Sequence, residues 1–399
     1  MDSNRRNLAI LFFTMVVVML GFGMIIPVMP FYVKSFGASG AALGALMAVY
    51  GVMQFIFAPI WGGLSDRKGR KPILMLGILG NAATMVMFGL SSQLWMLFAA
   101  RALAGVLSSA TLPTAMAYIS DTTSKEQRGG GMGLIGAAMG IGMVLGPGLG
   151  GWLAVRSLSY PYFLAAGLSI LAMVLVWLIL PEPLREPESP AKGMDGNRLA
   201  YLWKALGGPI GVLLVMSFLI TFGLTNFESV FGLYAVERYA YGPQQVGMVL
   251  TVIGLIAAIM QGGMTGPMTR RFGEVAIIRG SLLCSALGFV LMTLPQTFPQ
   301  VMLATGFFVF SHAMLNPSVA SLISKRTPYP MGITMGVNNS FLSLGRIIGP
   351  LWAGFAFDAT LNMPFYTGAA IMLVGFVISL TAITPQENQA IEEVPTFES

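Results

Sequence analysis

The sequence predicts an all-α membrane protein of twelve transmembrane helices in two pseudo-symmetric six-helix bundles. Three observations carry that expectation. Of 399 residues, 55% are hydrophobic and only 10% charged, against the roughly 25% charged of a soluble domain. Twelve apolar runs reach the length of about 20 residues that a spanning helix needs. The halves also repeat one another. "MGLIGAAMGIGMVLGP" (132–147) aligns with "MGVNNSFLSLGRIIGP" (335–350) at a shift of 203, and "LPTAMAYIS" (112–120) with "NPSVASLIS" (316–324) at 204. A duplicated bundle points to a transporter whose halves rock about a central site.

The first half, 1–181, holds runs at 8–33, 42–61, 72–92, 94–118, 130–155 and 161–181. The short "MDSNRRN" before the first run has no cleavage-like site beyond it, so that helix is expected to be retained. A charged, Pro-rich stretch including "PEPLREPESPAKGMDGNR" follows and reads as a solvated linker over 182–208. The second half, 209–384, holds runs at 209–236, 245–266, 274–294, 298–323, 332–357 and 363–384, and 385–399 is a tail.

Charge fixes the expected orientation. Arg5, Arg6, Arg67, Lys68, Arg70, Lys71, Lys125 and Arg128 fall on one side of this layout. So do Arg185, Lys192, Arg198, Lys204, Arg270, Arg271, Arg279, Lys325 and Arg326, whereas Lys34, Arg156 and Arg238 fall on the other. Positive loops stay cytoplasmic, so both termini and the tail are expected inside. The basic residues are topological anchors, and no nucleic-acid partner is expected. The single Cys284 and single His312 offer no set of metal ligands. No GK[ST] phosphate loop and no soluble catalytic constellation is visible. An enzyme, a metal and a cofactor are therefore not expected.

Ionisable residues inside the runs are the sharpest candidates, since each costs several kcal/mol to insert. Arg101, Glu228 and Arg346 are intramembrane, as is His312. Glu228 stands in "TNFESVFGLY", with Phe222, Asn226, Phe227, Phe231 and Tyr234 nearby. A carboxylate in an apolar cavity can exchange a proton and attract lipophilic cations, and rings add cation–π contacts. It can equally be a buried Glu paired with a neighbouring helix. Tyr50 and Gln54 lie one turn apart, either in a cavity or as interhelical glue. In the fifth run Gly142, Gly146 and Gly150 sit four apart on one face, where backbones can approach closely, and Pro147 adds a bend.

Four motifs resemble those of the major facilitator superfamily. "GGLSDRKGRKP" (62–72) resembles its signature loop, "RALAG" (101–105) its third motif, and "DTTSKEQRG" (121–129) the loop that follows. Gly133, Gly142, Gly146-Pro147 and Gly150-Gly151 match the antiporter signature of its drug exporters. The resemblance spans all twelve helices and is closest to the NorA-like, proton-coupled multidrug exporters. It implies the major facilitator fold, a bacterial plasma-membrane location, and export of lipophilic small molecules against protons by a monomer in lipid.

Residue by residue, the resemblance implies a cytoplasmic latch of Gly62, Asp66, Arg67, Gly69, Arg70, Asp121 and Arg128, with Asp66 facing the start of helix eleven. It implies a proton-transfer role for Arg101, alongside Glu228, whose place in an apolar span makes it the expected coupling carboxylate. The cavity is expected to hold Tyr50, Gln54, Phe222, Asn226, Phe227, Phe231, Asn338 and Arg346. The sequence also departs from the pattern. Ala313 stands where those exporters have an aspartate in helix ten, and Arg346 where they have an asparagine in helix eleven. His312 is the candidate replacement for the lost titratable group, or a packing residue. Two other readings stay open: export of a sugar, amino acid or other metabolite on the same fold, and an uncoupled facilitator or sensor.

Overall fold

The computed structural model describes residues 3–183, 206–208, 210–328 and 331–383. Most of the expected linker (184–205) and the whole expected tail lie outside those residues. Among them, twelve helices are long and apolar enough to cross a membrane. The first six are α1 (Arg6–Ser35), α2 (Gly40–Lys68), α3 (Arg70–Gly89), α4 (Leu94–Thr122), α5 (Gly129–Ala154) and α6 (Tyr160–Ile179). The second six are α7 (Gly211–Tyr239), α8 (Pro243–Phe272), α9 (Glu274–Leu291), α10 (Phe298–Arg326), α11 (Met331–Ala359) and α12 (Met363–Ala382). The twelve sequence runs correspond one to one. The ends of α2 and α8 run further than expected, carrying Asp66 to Lys68 and Arg270-Arg271 beyond the apolar stretch.

Prolines place the helix breaks. Pro113 lacks an N–H and crowds the carbonyl four residues back. There α4 tightens into a 3₁₀ turn at Ser108–Ala110 before resuming at Thr111. The aligned Pro317 acts alike in α10, which breaks between His312 and Leu315. In α8, Gly262, Gly263 and Pro267 accompany a single π turn at Met260–Met264. By contrast α5 and α11 run unbroken through Pro147 and Pro350.

Each half buries its own apolar core. Met15, Leu74, Ile78 and Tyr118 belong to the first half's core, and Phe227, Phe289, Phe308 and Leu282 to the second's. The halves meet mainly where α2 crosses α11 and α5 crosses α8. These two crossings are built from one device. A Cβ at Gly44 would strike the Pro350 carbonyl, and one at Gly247 would lie 2.5 Å from the Pro147 carbonyl. Gly44 and Gly247, like Pro147 and Pro350, are 203 residues apart, so the contacts are mates under the internal repeat.

These close approaches occupy one end of the molecule, from Gly40 and Gly151 as deep as Gly51 against Ile347 and Gly254 against Val144. This is the far end, opposite the end that carries Arg67–Lys71 and Arg270-Arg271. Lys34 of α1 pairs with Glu237 of α7 there at 2.6 Å. Toward the basic end no described glycine packs across the halves. A Cβ at Gly62, Gly136, Gly262 or Gly336 would meet nothing within 4 Å. The halves therefore part toward the basic end and close at the far end.

The close backbone approach expected at the glycine face of α5 is made within the first half. Gly142, Gly146 and Gly150 do not face the other half. Their Cβ positions would strike Met19 and Leu20, Gly23, and Met24 of α1 within the same half. The inter-half contacts of the motif belong to Pro147 and Gly151, with Gly148 beside Thr251. A helix offers two faces about 100° apart at successive positions, and spacing alone did not say which helix lay on which.

Candidate functional site

Between the halves, below the closed end, the two sides present different chemistry. On the first half Arg101 of α4 is buried at 3% exposure. Its guanidinium lies over the Tyr50 ring at 4.6 Å and the Phe22 ring at 5.7 Å. It donates to the Met47 sulfur at 3.2 Å, and its Nε has no hydrogen-bond partner. No carboxylate among the described residues lies within ion-pair distance of it. The cation is held by aromatic faces and a thioether, not by the packing salt bridge one would expect for a buried Arg. Gln54 donates to the Tyr50 hydroxyl at 3.4 Å. Both are half-buried, and their bond lies within α2, so it is not glue between helices.

The second half contributes Glu228 of α7 and Arg346 of α11. Glu228 is half-buried and Arg346 exposed into that space, although both sit mid-helix. Each lies in the other's electrostatic field, and the Tyr50 hydroxyl lies in that of both guanidiniums. No ion pair closes between Glu228 and Arg346. The second half thus presents one carboxylate and one cation, and the first half keeps its cation, Arg101, buried behind Tyr50.

The other expected cavity residues lie elsewhere. Phe227 and Phe231 are packed in the second half's core, with ring centroids 5.2 Å apart and Phe227 also 5.2 Å from Phe308. Close to Glu228 in sequence, they share one core-facing side of α7. Asn226 is fully buried and donates to the Pro364 carbonyl at 2.7 Å. Asn338 is buried and accepts from the Ser217 hydroxyl at 2.7 Å. Both are interhelical glue within the second half. Phe222 is buried where α7 crosses α11 beside Gly345. His312 is buried at the α10 break, its ring 5.1 Å from Phe308, and neither ring nitrogen makes a hydrogen bond of good geometry. It stands in the core, away from Glu228 and Arg346.

The sequence profile of the Major Facilitator Superfamily matches residues 11–350 and again 213–398. The chain belongs to the Major Facilitator Superfamily. Multidrug resistance protein 1 of Bacillus subtilis is 31% identical over 391 residues, covering 98% of this chain and all of that relative. Quinolone resistance protein NorA of Staphylococcus aureus is 29% identical, covering 94% of this chain and 96% of the relative. Among solved structures, the nucleoside transporter NupG superposes with a TM-score of 0.79 at 15% identity, over 97% of this chain and all of that one. The chain is a multi-pass membrane protein of this superfamily.

The superfamily's signature loop joins α2 to α3 at the basic end. Gly69 has φ +102°, and a Cβ there would lie 2.8 Å from the Glu182 carboxylate, so only glycine fits. Arg70 is buried. It reaches Asp66 at 2.6 Å, Asp121 at 2.7 Å and the Ser65 hydroxyl at 2.7 Å. Glu182 accepts from the Arg70 and Lys71 backbone N–H groups, at 2.5 and 3.0 Å. The expected Arg70–Asp121 pair is present. Arg67 is exposed, Gly62 has open space around it, and the Arg128 side chain lies outside the described residues. In the antiporter signature Gly133 contacts nothing within 4 Å.

Sequence reading missed Phe22 and Met47, which complete the Arg101 nest. It also missed Gly44 and Gly247. The one signal in the sequence was that Gly44 and Gly247, like Pro147 and Pro350, are 203 residues apart.

Proposed function

We propose that this protein is a secondary transporter of the plasma membrane that exports amphipathic small molecules in exchange for protons. Its relatives are a multidrug and a quinolone resistance protein, and the superfamily works by moving two halves about a shared site. Positive loops stay cytoplasmic, so the basic end and both termini face the cytoplasm. The conformation described above is then open to the cytoplasm and closed outside, ready to load cargo.

The observation that carries the mechanism is Glu228, a mid-membrane carboxylate with no ion-pair partner among the described residues. Antiport requires that proton and cargo exclude one another at one site. Charged Glu228 attracts a basic or polarisable cargo, and a proton arriving from outside displaces it. Tyr50 and Gln54 supply a ring face and a hydrogen bond on the opposite wall. Arg101 holds Tyr50 in place and keeps positive charge beside the site. Arg346 opposes dications and favours neutral or zwitterionic cargo. The working unit is a monomer in lipid.

The test is proton release on adding substrate to detergent-solubilised protein. Glu228→Gln mimics the protonated form and removes a costly charge. It should fold, bind cationic dye more weakly and release no proton. Release equal to wild type would assign coupling to another group. In vesicles, efflux that ignores a protonophore would favour an uncoupled facilitator.

A further inference from the structure

We infer that Asp358 is the outer latch of the transport cycle, holding the far end shut while the basic end is open, and that it works against Asp66. The first N–H groups of a helix have no partner inside it. At the start of α2 the Ser39 hydroxyl accepts from Ala42 N at 3.2 Å. Gly40 N donates to one Asp358 oxygen at 2.7 Å and Ala41 N to the other at 2.8 Å. Two of the N–H groups that begin a first-half helix are therefore satisfied by a carboxylate at the last turn of α11, in the second half. The negative charge also sits at the positive end of the α2 dipole. These bonds exist only while the far end is closed.

Asp66 has the complementary position. It lies in the last turn of α2, as Asp358 lies in the last turn of α11. The two helices run antiparallel and form one of the two main crossings between the halves. Each thus carries an aspartate at the end nearest the other's beginning. In this conformation Asp66 is held by Arg70 at 2.6 Å, and closing the basic end would bring it to the start of α11 as the far end opens and Asp358 leaves α2. The mated crossing of α5 and α8 has no such device. The residue 203 before Asp358 is Val155, and the residue 203 after Gly40 is Pro243, which has no N–H to give. The charged latch is confined to one crossing, and glycine–carbonyl packing alone serves the other. The exposed Lys34–Glu237 pair adds little, as exposed pairs do.

The inference rests on alternating access, not on the identity of the cargo. The test uses the full chain with Cys284→Ser and spin labels at Ser92→Cys and Gln296→Cys, exposed far-end positions in opposite halves. Far-end distances are read by pulsed electron spin resonance in detergent, with no substrate and no gradient. Asp358→Ala should raise the ratio of separated to closed far ends roughly 3- to 30-fold, the span of a lost helix cap. The size-preserving Asp358→Asn should move it the same way by less. Asp66→Asn should move it oppositely, and Asp66→Asn combined with Asp358→Ala should return it toward wild type. A ratio unmoved by both Asp358 variants overturns the latch, as does a double variant that opens as far as Asp358→Ala alone. Either result leaves the Glu228 reading standing, because that reading is decided by proton release.

Discussion

Gly247→Ala should hold the far end open. The new Cβ would lie 2.5 Å from the Pro147 carbonyl oxygen and 3.0 Å from Gly151 Cα, both in the other half. Ordinary contact begins near 3.4 Å, so α8 and α5 must part by about 0.9 Å at this level. Both neighbours are backbone and neither can rotate away. Overpacking of this kind costs about 1–3 kcal/mol, which is a population shift of roughly 5- to 150-fold. The cost falls only on the state in which the far end is closed. Gly146→Ala is the matched control. Its Cβ would lie 2.8 Å from Gly23 Cα and from the Leu20 carbonyl, within one half, so its cost falls on both states alike. The spin-label distances that test Asp358 read the first effect, and thermal unfolding in detergent reads the second. Gly247→Ala should widen the far end with little loss of stability. Gly146→Ala should lower the melting temperature without moving the distances. If both variants gave the same distances, the division of the glycines between inter-half and intra-half contacts would be wrong.

Substitutions at three further positions probe the site and its surroundings. Tyr50→Leu removes the ring over Arg101, a contact worth about 2 kcal/mol when desolvated; it should lower both stability and efflux, whereas Tyr50→Phe keeps the ring and should cost little stability. Equal melting temperatures for the two would remove the stacking role. Arg346→Asn should improve export of dicationic over neutral compounds several-fold, and an equal change for both classes would make Arg346 a packing residue. His312→Leu should leave substrate-induced proton release intact, because the ring is packed on Phe308 in the second half's core; loss of release with a normal melting temperature would return His312 to the coupling path.

The fold was legible because its signals are long and redundant. Apolar length, one-sided charge and the 203-residue repeat each point to the same twelve helices. Glu228, Arg346, Tyr50 and Gln54 were legible because polar groups inside apolar runs are costly and stand out. Their neighbours were not. Phe227 precedes Glu228 and is turned about 100° from it, and Phe231, four residues after Phe227, shares that core-facing side. Asn226 and Asn338 looked like cavity residues by type, but each spends its amide or carbonyl on an adjacent helix. Asp358 lay hidden because its partners are backbone N–H groups, which leave no mark in a sequence.

The closed end is sealed by backbone against backbone, where Gly44 meets the Pro350 carbonyl and Gly247 the Pro147 carbonyl. A seal made this way has no side chain to exchange for a near relative. Any substitution at those glycines adds atoms where none fit. Under the proposed function, variation in cargo is thereby steered deeper, to positions such as Arg346, whose side chain is exposed and can change size or charge without touching the gate. The gate can stay constant while cargo preference drifts beneath it.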